Sequence, residues 1–201
     1  LINFPFIKRF LNEEILSEGT GQSKGVELLF QQKLSNNFYG VFTYTYFFSE
    51  FTGIDRVTRP SVWDSRHLIS FSGGYKLKRS WEVSARWRYA GKNPYVPTNL
   101  EATIDSYPEI ILDYDRLGEV TLNSFSQADI RFDKKWNFEN LSFNLYFEVQ
   151  NFLAQPNPTP EEYGLNRNSK GGIILPRSLV PVSTNEGNNT PLPSFGFVLY
   201  F

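Results

Sequence analysis

The sequence predicts an all-β protein whose antiparallel strands cross a membrane as part of a β-barrel. Three observations support this prediction. Apolar and polar residues alternate with a period of two along much of the chain, whereas helical periodicity is hard to find. Aromatic residues make up 17% of the sequence, although its mean hydropathy is only -0.36. The segments between the alternating stretches are, in turn, very short and very long.

The composition excludes several other classes of protein. The 201 residues suffice for one domain, and a net charge of -1 provides no basic face for nucleic acid. There is no cysteine, and therefore no disulfide framework and no thiolate ligand or nucleophile. No stretch approaches the ~18 consecutive apolar residues of a transmembrane helix. Because the sequence also lacks methionine, we expect either a removed signal peptide or a piece of a longer chain.

Seven stretches alternate clearly enough to be predicted as strands. In the clearest one, apolar residues from Leu141 to Val149 share one face, and polar ones from Ser142 to Gln150 share the other. The seven are residues 26–31, 38–48, 69–77, 81–89, 127–136, 141–150 and 194–201. Most of them approach the ~9–11 residues that a tilted strand needs to cross a bilayer. Residues 1–10 alternate partly and could supply an eighth strand, but Pro5 interrupts them.

The connections predict which end of each strand faces which side. The short ones are residues 35–37, 78–80 and 137–140, and the long ones are 49–66, 91–123 and 152–193. Long segments without predicted structure are uncommon in compact soluble domains, but they are usual on the outer side of outer-membrane barrels. If Phe201 ends the last strand after a long loop, that strand runs towards the periplasm. Every short turn then lies on the periplasmic side.

Aromatic residues should mark the two membrane interfaces. The periplasmic girdle is predicted to contain Phe38, Tyr75, Trp81, Trp136 and Phe201, and the outer one Tyr46, Phe48 and Tyr89. Lys134 faces lipid by alternation, which would cost ~2–4 kcal/mol at mid-bilayer but little near an interface, where the chain can snorkel. A soluble β-sandwich also shows alternation, but its hairpins should not sort into short and long sets by side.

The polar face of the strands would then line the barrel lumen. Its predicted members are Glu27, Lys33, Glu82, Arg86, Arg88, Asp129, Arg131, Asp133, Lys135 and Glu148. The candidates for contact with a plug that fills a large barrel are Arg86, Arg88, Asp129, Arg131, Asp133 and Glu148. The alternative is a hydrated wall of mutual ion pairs. Both signs of charge are present, so no anion- or cation-selective wall is evident.

Six segments resemble those near the C-terminus of TonB-dependent receptors of the Bacteroidetes type, which often carry an N-terminal carboxypeptidase-like regulatory domain. They are residues 21–29 (GQSKGVELL), 38–46 (FYGVFTYTY), 63–67 (WDSRH), 128–136 (ADIRFDKKW), 145–151 (LYFEVQN) and 193–201 (PSFGFVLYF). They lie in the family's order. The last segment also resembles the signal read by the barrel assembly machinery, in which Ser194, Gly196, Leu199 and Phe201 would be the recognised residues.

The resemblance implies a 22-stranded barrel in the outer membrane of a Gram-negative bacterium. An N-terminal plug would contact TonB, a nutrient ligand would be imported, and a surface lipoprotein is a common partner in the family. This chain has no plug and no room for 22 strands. We therefore expect residues 1–201 to be the C-terminal part, roughly the last third, of one such barrel domain. The alternative is a small stand-alone barrel with a structural or adhesive role.

No catalytic or metal site is predicted. His67 is expected to be structural or interfacial, and the acidic residues Glu109, Asp113 and Asp115 are expected to form a solvated loop rather than a Ca²⁺ site. Glu161 and Glu162 receive the same interpretation. Gly171 and Gly172 indicate a turn, no nucleophile–base arrangement is visible, and no cofactor is expected. Ligand contacts are predicted on the long loops, at Tyr95, Tyr107, Tyr114 and Arg116.

Overall fold

The computed structural model describes residues 18–182 and 189–201. The first eight strands among these residues are β1 (Thr20–Ser35), β2 (Phe38–Thr52), β3 (Thr58–Pro60), β4 (His67–Leu77), β5 (Trp81–Ala90), β6 (Pro94–Tyr95), β7 (Val120–Thr121) and β8 (Phe125–Asn137). The others are β9 (Ser142–Gln150), β10 (Tyr163–Leu165), β11 (Leu179–Pro181) and β12 (Leu192–Tyr200). One α-helix, α1 (Leu100–Ser106), and the 3-10 turns Lys78–Ser80 and Tyr114–Arg116 complete the described elements.

The main sheet confirms the seven predicted strands and their antiparallel pairing. Its order is β1-β2-β4-β5-β8-β9-β12, with the short β3 paired to the outer part of β2. Each long strand therefore pairs with the next long strand along the chain. β1 and β12 form the two edges and do not pair with each other, so the described sheet is open. Within the described ranges, no helix is long and apolar enough to cross a membrane.

The register places the apolar residues of all seven strands on one face. Phe42 pairs with Phe30 on one side and Phe71 on the other, and Phe147 pairs with both Phe132 and Phe195. A register shift of one residue would send each set to the opposite face, so the pattern specifies the pairing. No described element covers this apolar face: the exposed fractions are 63% for Phe30, 46% for Phe147 and 84% for Phe195.

A second layer of the kind that a β-sandwich needs is not found among the described residues. The other two sheets have two strands each, β6–β7 and β10–β11. The buried apolar side chains in this part of the chain are Leu117, Ala128 and Leu165, of which only Ala128 belongs to the main sheet. The sheet is therefore not built around an ordinary interior core.

The three predicted short turns are confirmed to within a residue. Asn36 and Asn37 connect β1 to β2, and their φ angles of 49° and 68° are those that a tight two-residue hairpin requires. The 3-10 turn Lys78–Ser80 connects β4 to β5. Residues 138–141 connect β8 to β9, and the Phe138 amide donates a hydrogen bond to the Leu141 carbonyl (2.7 Å).

The long connections lie where they were predicted, but they have secondary structure of their own, contrary to the prediction. The second contains α1, which begins where the Asn99 side chain accepts a hydrogen bond from the Ala102 amide (3.0 Å). Thr103 is fully buried, and its hydroxyl accepts from the Ile111 amide (3.0 Å). The third contains the β10–β11 hairpin. Residues 1–10, the candidate eighth strand, lie outside the described residues.

Candidate functional site

An ion-pair network occupies the polar face of β8 and β9. Arg131 donates two hydrogen bonds to the Asp133 carboxylate, both 2.8 Å long, and its guanidinium lies 3.9 Å from the centre of the Tyr146 ring. The Glu148 carboxylate is 3.8 Å from Arg131, and Asn144 donates to Asp133 (2.9 Å). Three of the six predicted plug-contacting residues are therefore paired with one another. This part of the face therefore has the mutual ion pairs that the alternative to plug contact, a hydrated wall, predicts.

Asp129 is buried in the sheet, with only 6% of its surface exposed. Its carboxylate accepts hydrogen bonds from the Gln127 side chain and from the backbone amide of Asn151, both 3.0 Å long, and it lies 3.8 Å from Arg88. Asn151 has a φ of 51° at the end of β9. Asp129 thus holds the exit of β9 against β8, which is a positioning role.

Two arginines on β5 differ from the other predicted plug-contacting residues. Arg86 is exposed and forms no ion pair with any other described residue, although it is paired with Asp129 in the strand register. Arg88 is also exposed, and its one ion pair within the described ranges is the 3.8 Å contact with Asp129. These two guanidinium groups are the predicted plug-contacting residues that the sheet leaves available.

Two tyrosine–glycine pairs, which the sequence analysis missed, lie across neighbouring strands on the polar face. The ring of Tyr39 lies where a Cβ on Gly74 would project, and its hydroxyl hydrogen-bonds to Glu82. Tyr146 covers Gly196 in the same way. In each pair the glycine is the register partner of the tyrosine, so a strand alignment could have revealed both. Such pairs cover the gap that a glycine leaves in a sheet.

The long loops form a cleft at the end of the sheet opposite the short turns. Its volume is about 150 Å³, and its lining comprises Tyr95, Thr121, Leu122, Asn123, Pro158, Thr159 and Glu161. The Tyr163 hydroxyl donates a hydrogen bond to Glu161, which raises the pKa of Tyr163 to about 12. Glu161 thus has a defined partner rather than being merely solvated.

The four predicted ligand-contacting loop residues are not brought together. Tyr95 lines the cleft, whereas Tyr107 follows α1, and Tyr114 and Arg116 belong to a 3-10 turn. Arg116 pairs with Glu119 (2.8 Å), and this hydrogen bond raises the pKa of the guanidinium. Arg116 is therefore less available to a ligand than its sequence context indicates.

The segment that contains His67 forms a corner at the loop end of β4. The His67 ring stacks beside Tyr44, and its Nδ1 lies 2.9 Å from the Tyr44 hydroxyl. Asp64 is buried, and its carboxylate forms an ion pair with Arg66 (3.0 Å) but accepts no hydrogen bond from the described residues. Arg66 in turn lies over the Phe48 ring, 4.1 Å from its centre. Nowhere in residues 18–182 or 189–201 do three His, Asp or Glu side chains gather as a metal site requires.

The predicted assembly-signal residues lie in or just after the edge strand β12. Ser194 and Gly196 pair with Glu148 and Tyr146 of β9, and Leu199 pairs with Phe143 on the apolar face. Phe201 follows the strand and is fully exposed. The other edge of β12 has no partner among the described strands.

Comparison with known proteins identifies no relative: no family model, curated protein or solved structure matches the chain.

Proposed function

We propose that this chain forms part of the wall of a TonB-dependent outer-membrane receptor that imports a nutrient ligand. The observation that carries the proposal is the apolar face that runs across all seven long strands and is left uncovered by the described elements. Exposing apolar surface to water costs about 25 cal/mol per Å². Lipid would remove that cost for the whole face.

The arrangement of turns and loops supports an orientation for this wall. All short turns lie at one end of the sheet, and all folded loops lie at the other. In outer-membrane barrels the turns are periplasmic and the loops are external. The cleft beside Tyr95 would then face the outside, where a ligand or a surface lipoprotein can approach.

The open edges and the polar face supply the other partners. β1 and β12 each leave one side unpaired, and further strands of the same receptor would close the barrel there. Arg86 and Arg88 would contact a plug, which would connect the receptor to TonB. The barrel assembly machinery would read β12.

Cysteine accessibility tests the membrane part of the proposal. Phe147 and Glu148 are neighbours in β9 whose side chains lie on opposite faces, and the sequence has no cysteine. In outer membranes, we expect Phe147→Cys to resist a small charged thiosulfonate, because a thiol in lipid stays protonated and the charged reagent does not reach it. Glu148→Cys, the matched control, should react readily, and both variants should react once the protein is denatured. Fast reaction of Phe147→Cys with the charged reagent would mean that this face meets water.

The receptor part needs a separate test. The protein expressed from its whole coding sequence should take up its nutrient only when TonB and the proton gradient are present. If the coding sequence holds no plug-like domain and no partner chain supplies one, the receptor proposal fails. A small stand-alone barrel with a structural or adhesive role is then the outcome, provided that the cysteine test still places Phe147 in lipid.

A further inference from the structure

We propose that the turn end of the sheet carries a binding site for the phosphate headgroup of an anionic phospholipid. The site comprises Lys78, Arg79 and Lys134 with the indole rings of Trp81 and Trp136, and we call it the turn-side basic cluster. The inference rests on the proposed membrane location of the sheet and adds a specific lipid partner to it.

The geometry centres on Lys134, which the register places opposite Trp81. Its ammonium lies 5.5 Å from the centre of the Trp81 ring and 5.4 Å from that of Trp136. The same ammonium donates a hydrogen bond to the backbone carbonyl of Arg79. A lysine that belongs to the apolar face by alternation is thereby drawn to the turn, where Arg79 and Lys78 are exposed.

The positive charge of this cluster is not neutralised within the described chain. None of the three cations forms an ion pair there. Two nearby carboxylates, Glu82 and Asp133, lie on the polar face. Glu82 accepts a hydrogen bond from Tyr39.

The second of the two nearby carboxylates, Asp133, is already bound by Arg131 and Asn144. In the next turn Glu139 makes no salt bridge to the cluster. The turn end therefore keeps a local excess of positive charge although the chain as a whole has a net charge of -1.

The neighbouring aromatic residues point to a lipid rather than to a soluble anion. Trp81 is 46% exposed and Trp136 is 38% exposed, so both rings present apolar surface beside the cations. Phe138, in the following turn, is also exposed. Indole rings and long basic side chains together are typical of the membrane–water interface, where the rings sit at headgroup level. A diacyl phosphate ester matches both features, because its headgroup is anionic and its chains are apolar.

Lipid titration tests this inference. The protein expressed from its whole coding sequence is purified in a neutral detergent and titrated with phosphatidylglycerol and phosphatidylcholine, and binding is followed by native mass spectrometry. Each basic residue near an anionic lipid is worth about a fivefold change in affinity. We expect Arg79→Gln with Lys134→Gln to weaken phosphatidylglycerol binding roughly 25-fold and to leave phosphatidylcholine binding unchanged.

The chain offers a matched control for charge and position. Lys76 and Lys135 are each within a few residues of the cluster, but they lie on the polar face. Lys76→Gln with Lys135→Gln removes the same charge and should leave the lipid preference intact. Arg79→Lys with Lys134→Arg should retain it too, which separates lost charge from lost folding.

Several outcomes overturn the inference. The first is an equal loss of phosphatidylglycerol binding in the Lys76 and Lys135 control variant. The second is an unchanged preference for phosphatidylglycerol in the Arg79→Gln, Lys134→Gln variant. The third is binding of glycerol phosphate, which has no acyl chains, as tight as that of phosphatidylglycerol. A protein that stays monodisperse without detergent would instead contradict the proposed function, before any lipid is added.

Discussion

Two loop carboxylates that look alike in the sequence have different surroundings in the structure. Glu161 and Glu162 are adjacent acidic residues with the same sequence context, yet only Glu161 accepts the Tyr163 hydroxyl. The hydrogen bond stabilises the neutral phenol and the neighbouring negative charge disfavours the phenolate, and therefore the pKa of Tyr163 rises to about 12. The hydrogen bond is fully present below the ordinary tyrosine pKa and is lost as the pH rises through the raised one.

Replacing Glu161 tests that pairing. We expect Glu161→Gln to lower the pKa of Tyr163 towards its usual value of about 10, because an amide oxygen accepts the hydrogen bond of the phenol more weakly than a carboxylate and does not repel the phenolate. Tyrosine absorbance during alkaline titration, with Tyr163→Phe to assign the signal, measures it. Glu162→Gln is the adjacent control and should leave the titration unchanged; an equal shift in both variants would contradict the pairing.

Asp129 illustrates a residue whose role depends on burial. Its carboxylate accepts from Gln127 and from the Asn151 amide while almost no surface is exposed. Asp129→Asn should destabilise the protein by about 1–3 kcal/mol, because both hydrogen bonds fall on one oxygen and would lose their charge, while the amide nitrogen that replaces the other oxygen would be a buried donor facing Arg88. Denaturant unfolding of the protein in vesicles or detergent checks this value. Asp115→Asn, at an exposed loop position, should change the unfolding free energy little.

At the scale of elements, the tyrosine–glycine pairs link neighbouring strands. A Cβ on Gly196 would lie 2.5 Å from the Tyr146 hydroxyl oxygen, so Gly196→Ala must displace that ring. We expect Gly196→Ala to destabilise the β9–β12 pairing. In the double variant, Tyr146→Ala should relieve the clash, so the two substitutions should show a coupling energy of about 0.5–3 kcal/mol. Unfolding measurements on the four proteins of the cycle give this energy. Gly21→Ala, whose new Cβ would meet its nearest atom at 3.6 Å, is the control; additive effects at Tyr146 and Gly196 would disprove the link.

The long strands were predictable because two-residue alternation is visible without knowing any neighbour. The structure of the second long loop was not, since α1 depends on contacts between distant loop positions. Thr103 is buried and bonds through its hydroxyl with Ile111, and Leu117 of the same loop is buried as well, although no local sequence pattern indicates either. The cleft likewise joins residues 95 and 121–123 with residues 158, 159 and 161. No single segment indicates this lining, and of its residues only Tyr95 was predicted from the sequence to contact a ligand.

For the whole molecule, the two edges of the sheet distinguish the two architectures that the sequence leaves open. Strands lie about 5 Å apart in a sheet. In a small barrel, β1 and β12 would pair directly or through one further strand, and so would lie within about 10 Å. In a barrel of 22 strands, many strands would separate them along the wall. An unpaired edge such as β1, with 16 residues, is otherwise a template for aggregation.

Cross-linking measures this separation directly. Gln31→Cys in β1 and Val198→Cys in β12 are both on the polar face, near the turn end of their strands. We expect no intramolecular product with a short bis-maleimide in the protein expressed from its whole coding sequence, because the closing strands of a large barrel keep the edges apart. Gln31→Cys with Val41→Cys, which are register partners in β1 and β2, is the positive control. A high yield between β1 and β12 would show that the seven strands close nearly on themselves, and a ligand would then have no plugged channel through which to pass.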